Sequence, residues 1–199
     1  MREMVKMVIT LTVLAAFSGG LLSAVKGSTS DRIEQAILEY VQGPAILSIM
    51  EGVSNDPITD RFTIEINGED KNFFVGKIDG APKVVAFEAK ATGYGGELGV
   101  MVGVNIETGQ IHGIGVTTHS ETPGVGSRAE TDIRFKTSFV GLPVTDEDKV
   151  RIQNDGGEVA VIGGATITAR AVALAVSRAG SLYKEFESQI KTQAETFSG

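Results

Sequence analysis

The sequence predicts an α+β protein, with one N-terminal transmembrane helix followed by one domain in which helices flank an antiparallel sheet. Three observations predict it. Met7 to Val25 (MVITLTVLAAFSGGLLSAV) carries no charged residue, and at about 1.5 Å per residue a helix of that length crosses a bilayer core. From Phe62 to Thr118 apolar and polar residues alternate between glycine-containing turns, the period of paired strands. From Thr168 the chain is rich in Ala, Val and Leu at helical spacing.

Composition narrows the chemistry. The 199 residues suffice for one sizeable domain with appendages. A net charge of −7 lacks the basic footprint of a nucleic-acid binder. No cysteine is present, which removes disulfides, thiolate nucleophiles, iron–sulfur ligation and c-type haem attachment. With His112 and His119 the only histidines, a His-based metal cluster is not expected. Redox work would need an organic cofactor.

Each element follows in order. For the apolar run a cleaved signal peptide is the rival reading, but no small-x-small cleavage site follows it and no lipobox cysteine exists, so a retained anchor is expected over residues 1–27. Arg2 and Lys6 precede the span and Lys26 and Arg32 follow it, so charge posts no orientation. Ser18-Gly19-Gly20 and Ser23-Ala24 would let another helix approach, or are merely tolerated there. Ser28-Thr29-Ser30 reads as a polar exit. Residues 28–60 read as a helical linker region: a helix over Asp31 to Val41, stopped by Gly43-Pro44, then a short turn of helix at Ile46 to Met50. The domain proper is expected over 61–199. Phe62 to Ile66 and Phe73 to Ile78 form a hairpin about Asn67-Gly68, and Asp79-Gly80-Ala81-Pro82 turns into Lys83 to Ala91. Leu98 to Ile106 alternates cleanly, as a sheet with one buried face requires, and returns through Ile111 to Thr118. This is a meander without βαβ units, so a doubly wound nucleotide fold is disfavoured. Glu130 to Phe139 is expected as a short helix and Glu158 to Ile162 as a strand. In the final helix Val172, Val176 and Leu182 are core candidates.

Chemistry concentrates in two stretches. In Gly163-Gly164-Ala165-Thr166-Ile167-Thr168-Ala169-Arg170, glycines free the backbone just before a helix start. The unpaired N–H groups and the positive dipole end there suit a phosphate. The competing reading is a threonine that simply caps the helix. The second stretch, His119-Ser120-Glu121-Thr122-Pro123-Gly124-Val125-Gly126, has strong turn chemistry and no acid–base pair or triad. Neither catalytic nor metal-ligating residues are assigned.

Gly164-Ala165-Thr166-Ile167-Thr168 resembles the S-G-A-T-x-[ST] motif of the flavin-binding domain in the G subunits of Rnf-type electron transport complexes. The C subunits of sodium-pumping NADH:quinone reductases share that domain. His119 to Gly126 is similar to the same family's H-x-E-T-P-G-[LM]-G loop, and Gly93-Tyr94-Gly95-Gly96 and the N-terminal anchor match too. The resemblance covers essentially the whole chain. It implies FMN esterified through its phosphate to Thr166 by a flavin transferase that uses FAD and magnesium. Gly164, Ala165 and Thr168 of the same motif would also bind the cofactor, the glycines letting backbone approach its phosphate, and Glu121, Thr122, Gly124 and Val125 would lie near the ring and ribityl chain. Gly163 stands where the family usually has serine, Ala169 where it often has a small polar residue, and Ala160 where it often has aspartate.

The resemblance further implies a single-pass subunit of a bacterial or archaeal cytoplasmic membrane, its domain on the extracytoplasmic side. It would carry electrons between ferredoxin and NAD in an ion-translocating complex, beside other membrane and iron–sulfur subunits, with no independent catalysis. The alternatives are a C-type subunit of a sodium-pumping quinone reductase or, in another class, a cofactor-free anchored scaffold.

Overall fold

The computed structural model describes residues 2–197, apart from the side chains of Asp31 and Glu34. The chain divides into two compact units, Met1–Tyr40 and Val41–Gly199. The first is built on one helix, α1 (Arg2–Ile37), whose stretch Arg2–Ser30 is long and apolar enough to cross a membrane. The expected exit at Ser28-Thr29-Ser30 is not a break. The three hydroxyls donate to carbonyls of Val25, Lys26 and Gly27 one turn back, which lets polar residues stay inside a helix. A π-helical turn, Leu38–Gln42, follows. Gly43-Pro44, expected to stop a helix, instead starts α2 (Gly43–Ile49), with proline in the first turn where its missing N–H is harmless.

The second unit is organised by a five-stranded sheet in the order β1-β2-β3-β4-β5, every neighbouring pair antiparallel. The strands are β1 (Arg61–Ile66), β2 (Glu69–Ile78), β3 (Ala81–Thr92), β4 (Glu97–Asn105) and β5 (Ile111–Thr118). Two of the turns are those the sequence demands. Asn67-Gly68 and Asp79-Gly80 both take positive φ at each residue, the backbone a tight hairpin needs.

The expectation of one buried face is corrected: every residue from Leu98 to Val104 is buried. On one face Phe73, Val75, Val85, Phe87, Val100 and Val102 form a single core with Val172, Val176 and Tyr183 of the long helix α5 (Thr166–Glu195). The rings of Phe62 and Phe73 stack there at 5.3 Å, and Phe73 meets Phe87 at 5.0 Å. On the other face α2 lies against β4 and β5. It can do so because that face is paved with glycine. A Cβ on Gly103 would stand 2.5 Å from Ile49 Cγ2, and one on Gly115 3.0 Å from Ala45 Cβ.

Two further expectations change. Glu130 to Phe139 is two short helices, α3 (Arg128–Thr131) and α4 (Ile133–Thr137), separated by an extended Asp132 whose carboxylate caps Phe135 N–H at 3.2 Å. Glu158 to Ile162 is not a strand; only one parallel bridge, Ile152 to Val159, forms. Val159 and Ile162 are buried at 0% and 1% exposure, so that apolar run serves packing rather than pairing.

Candidate functional site

Three loops meet at the head of α5. The helix begins at Thr166, two residues before the expected start, with Ala165 in the capping position and no side chain capping it. Its first N–H groups, which like those of any helix lack an intrahelical acceptor, therefore have no capping side chain to accept from them either. Gly164 reaches the helix at φ +82°, where a side chain would be strained. The threonine-cap reading of this stretch is set aside by that geometry.

The second loop follows β5. The Thr122 carbonyl accepts N–H groups from Val125, Gly126 and Ser127 at 3.0–3.2 Å, which winds the loop tightly. Gly124, at φ +72°, donates its N–H to Ser127 Oγ at 2.8 Å. His119 holds the entrance: its Nδ1 accepts the Glu121 N–H at 3.2 Å and its Nε2 lies 3.3 Å from Glu130 Oε2. The third loop, Gly93 to Gly96, closes on itself through Gly93 N–H to the Gly96 carbonyl at 2.7 Å.

Glu121 fastens the three together. Its Oε2 accepts the Thr168 hydroxyl at 2.6 Å and its Oε1 accepts the Gly95 N–H at 3.1 Å. Glu121 and Thr168 are also the buried polar residues of the described chain, at 6% and 2% exposure. A carboxylate taken out of water needs such donors, because leaving it unpaired costs several kcal/mol. The fit is close: a Cβ at Gly126 would stand 2.7 Å from Glu121 Oε2 and 3.0 Å from Thr168 Oγ1.

Between the loops lies a cleft of about 340 Å³, lined by Tyr94, Glu121, Thr122, Val125, Gly126, Gly164, Ala165, Thr166, Ile167 and Thr168. That volume falls within the range of roughly 300–1,000 Å³ typical of small-molecule sites. Of the residues singled out in the sequence, Glu121, Thr122, Val125, Gly164, Ala165, Thr166 and Thr168 share this cleft, and Gly124 shapes its loop from behind. Val125 touches the other motif, its Cγ1 3.7 Å from where a Gly164 Cβ would be. The two threonines differ. Thr168 is committed to Glu121, whereas Thr166 is half-buried on the cleft wall and, among the described residues, makes no side-chain hydrogen bond.

The sequence did not single out Tyr94 or Ile167 as lining residues, nor the bond between Glu121 and Thr168. The glycines around Tyr94 were the available signal. Farther along α5, the Arg170 guanidinium forks onto Asp155 at 2.6 and 2.7 Å, which holds the Asp155 carboxyl below the usual carboxylate range and raises Arg170 in turn. Ala160, in place of the acid the resemblance expects, donates its N–H to Ser138 Oγ at 3.0 Å.

Comparison with known proteins bears on this cleft directly. The FMN-binding domain family matches residues 93–181, which includes every lining residue. Over nearly the full length, the chain is 30% identical to the G subunit of the ion-translocating oxidoreductase complex of Shewanella oneidensis, covering 96% of this chain and 94% of that protein. It is 34% identical to the G subunit from Cronobacter sakazakii, with 92% of each chain covered, and 32% identical to the one from Escherichia coli, again with 92% of each. Among solved structures, the C subunit of the Na⁺-translocating NADH-quinone reductase of Parabacteroides distasonis superposes with a TM-score of 0.54 at 23% identity. The match covers 65% of this chain and 77% of that one. The Shewanella oneidensis NqrC structure gives 0.53 at 22% identity, over 71% and 72% of the two chains. These two share the fold.

Proposed function

This chain belongs to the family of G subunits of ion-translocating oxidoreductase complexes, and we propose that it carries FMN, joined by a phosphoester to Thr166, as an electron relay in such a complex. The observation that carries the reading is the contrast between the two threonines. The Thr166 hydroxyl, on the wall of the cleft, has no hydrogen-bond partner among the described residues and stands two residues after Gly164 with its positive φ, at an uncapped helix start, while the Thr168 hydroxyl is held by Glu121.

The residues present suit the group. The α5 N-terminus offers N–H donors and the positive end of a dipole to a phosphodiester. Gly164 brings backbone close without a Cβ in the way. Glu121 locks the three loops in one arrangement, and Val125 and Ile167 give the cleft an apolar wall. When bound, FMN supplies the electron-transfer chemistry, and the protein supplies position and electrostatics. No general base is needed from the chain for that role.

In this reading α1 anchors the domain in the membrane, the other subunits of the complex deliver and accept electrons, and a flavin transferase installs the cofactor on the extracytoplasmic side. Identities of 30–34% along almost the whole length of G subunits favour that assignment over the quinone-reductase protein, which shares the fold at 22–23% identity.

The test is direct. The full chain is purified from membranes of cells that contain its maturation machinery, denatured, and run on a gel under ultraviolet light. A fluorescent band, with a mass increment of FMN minus water on the peptide holding Thr166, is expected. A band without fluorescence refutes the ester, and a colourless native protein refutes the electron relay.

A further inference from the structure

We propose that Tyr94 forms the outer wall of the flavin site, its phenol ring stacking on the isoalloxazine opposite Val125 and Ile167. The proposal rests on the FMN reading above and assigns the cleft's remaining lining residue a role of its own. Three large apolar or aromatic side chains converge on this one cleft while remaining open to water: Tyr94 at 72% exposure, Ile167 at 52% and Val125 at 40%. A cleft that leaves such side chains wet is shaped for a ligand with a flat apolar face, because covering that surface is favourable.

Tyr94 is prepared for the role in an unusual way. Its backbone is pinned on both sides, by Gly93 N–H to the Gly96 carbonyl and by Gly95 N–H to Glu121. Gly95 lies so close to the Ser120 carbonyl that any side chain there would overlap it. The ring itself is unconstrained and makes no hydrogen bond among the described residues. Placing a tyrosine ring fixes two torsions, so a pinned backbone leaves little entropy to lose on stacking. Offset aromatic stacking is favourable beyond the area it covers.

The chain offers an optical test of unusual cleanness. It contains no tryptophan and three tyrosines; Tyr183 is buried in the core, Tyr40 lies in the other unit, and only Tyr94 lines the cleft. An electron-rich phenol in contact with an excited flavin quenches its emission, by giving up an electron and recovering it without net reaction. A phenyl ring or an alkyl chain cannot donate in that way, and an indole can.

The full chain and its Tyr94→Leu, Tyr94→Phe and Tyr94→Trp variants are therefore produced with the maturation machinery. Emission is read twice, from native protein in detergent and from the denatured gel band. The gel bands are expected to match, showing equal attached flavin. Native emission is expected to be quenched in the wild type and Tyr94→Trp, and several-fold brighter in Tyr94→Leu and Tyr94→Phe. Equal native emission from all four with matching gel bands overturns the stack and leaves the flavin reading intact. A wild-type gel band without fluorescence overturns the covalent-flavin reading, and this proposal with it.

Discussion

Thr166 and Thr168 stand two positions apart at the start of one helix and are expected to behave as opposites. Thr166→Val removes the oxygen proposed to bear the phosphate, so in-gel flavin fluorescence should vanish while the urea midpoint stays close to the parent's. Thr168→Val should keep the flavin but strip Glu121 of its hydroxyl donor. A buried acceptor that loses its partner costs about 1–3 kcal/mol, and the urea midpoint should fall accordingly. An adduct found on Thr168 would reverse the assignment. Tyr183 presents the reverse situation, a hydroxyl buried without any partner among the described residues. Tyr183→Phe should therefore be neutral or stabilising, by up to about 1 kcal/mol. Burial, and then the Glu187 carboxylate, push the Tyr183 phenol up to about 12. With the folded value above the unfolded value of about 10, this group's contribution is intact below pH ~10 and is lost as pH rises toward and through 12. Tyr183→Phe should flatten that alkaline decline, measured as urea midpoints at about pH 9 and pH 11. At this scale the Gly-Ala-Thr stretch stood out through its glycines at a helix start, but the local pattern fitted a simple cap as well as a phosphate cradle, and only the resemblance pointed to Thr166. The Glu121–Thr168 bond was not, since it joins positions far apart in sequence that only the fold brings together.

Among the elements, the hairpins were the most legible, because Asn67-Gly68 and Asp79-Gly80 name their own turn type. Short apolar runs were the least. Val159 to Ile162 has a strand's composition but no neighbour to pair with beyond one bridge, and two of its apolar residues, Val159 and Ile162, are satisfied by burial instead. Gly43-Pro44 was ambiguous for a related reason: proline ends one helix and opens another by the same loss of a donor. The long helix α5 is seated by a close backbone contact, where Gly180 lies against the Val144 carbonyl with no room for a Cβ. Gly180→Ala must push the helix or that loop aside. A loss of roughly 1–3 kcal/mol is expected by urea unfolding, although alanine has the higher helix propensity. A gain in stability would show that α5 is free to shift there.

At the scale of the molecule, the antiparallel meander could be read from strand spacing, whereas the covering of both faces could not. The alternation in β4 hides it: Met101 and Gly103 look like the outward half of a one-sided strand, yet both are buried, and α2 lies against the strand with Ile49 at Gly103. Val41–Gly199 contains the whole sheet, both helices that cover it and the cleft. A fragment starting at Val41 should accordingly be soluble and unfold cooperatively in urea, while the full chain, carrying the apolar α1, should require detergent. A fragment that aggregates or melts without cooperativity would mean that the domain depends on residues before Val41.

The site's place at the head of α5 has a mechanical consequence. The helix is 30 residues long, a rod of about 45 Å whose inner face is embedded in the core. Carrier proteins that ferry a reactive group hang it on a long flexible arm; here the proposed tether is a short, branched side chain on the first turn of a beam. The protein side of such a tether adds almost no travel of its own, so whatever reach the group has would come from FMN's own ribityl-phosphate chain, and larger displacements would have to come from movement of whole subunits.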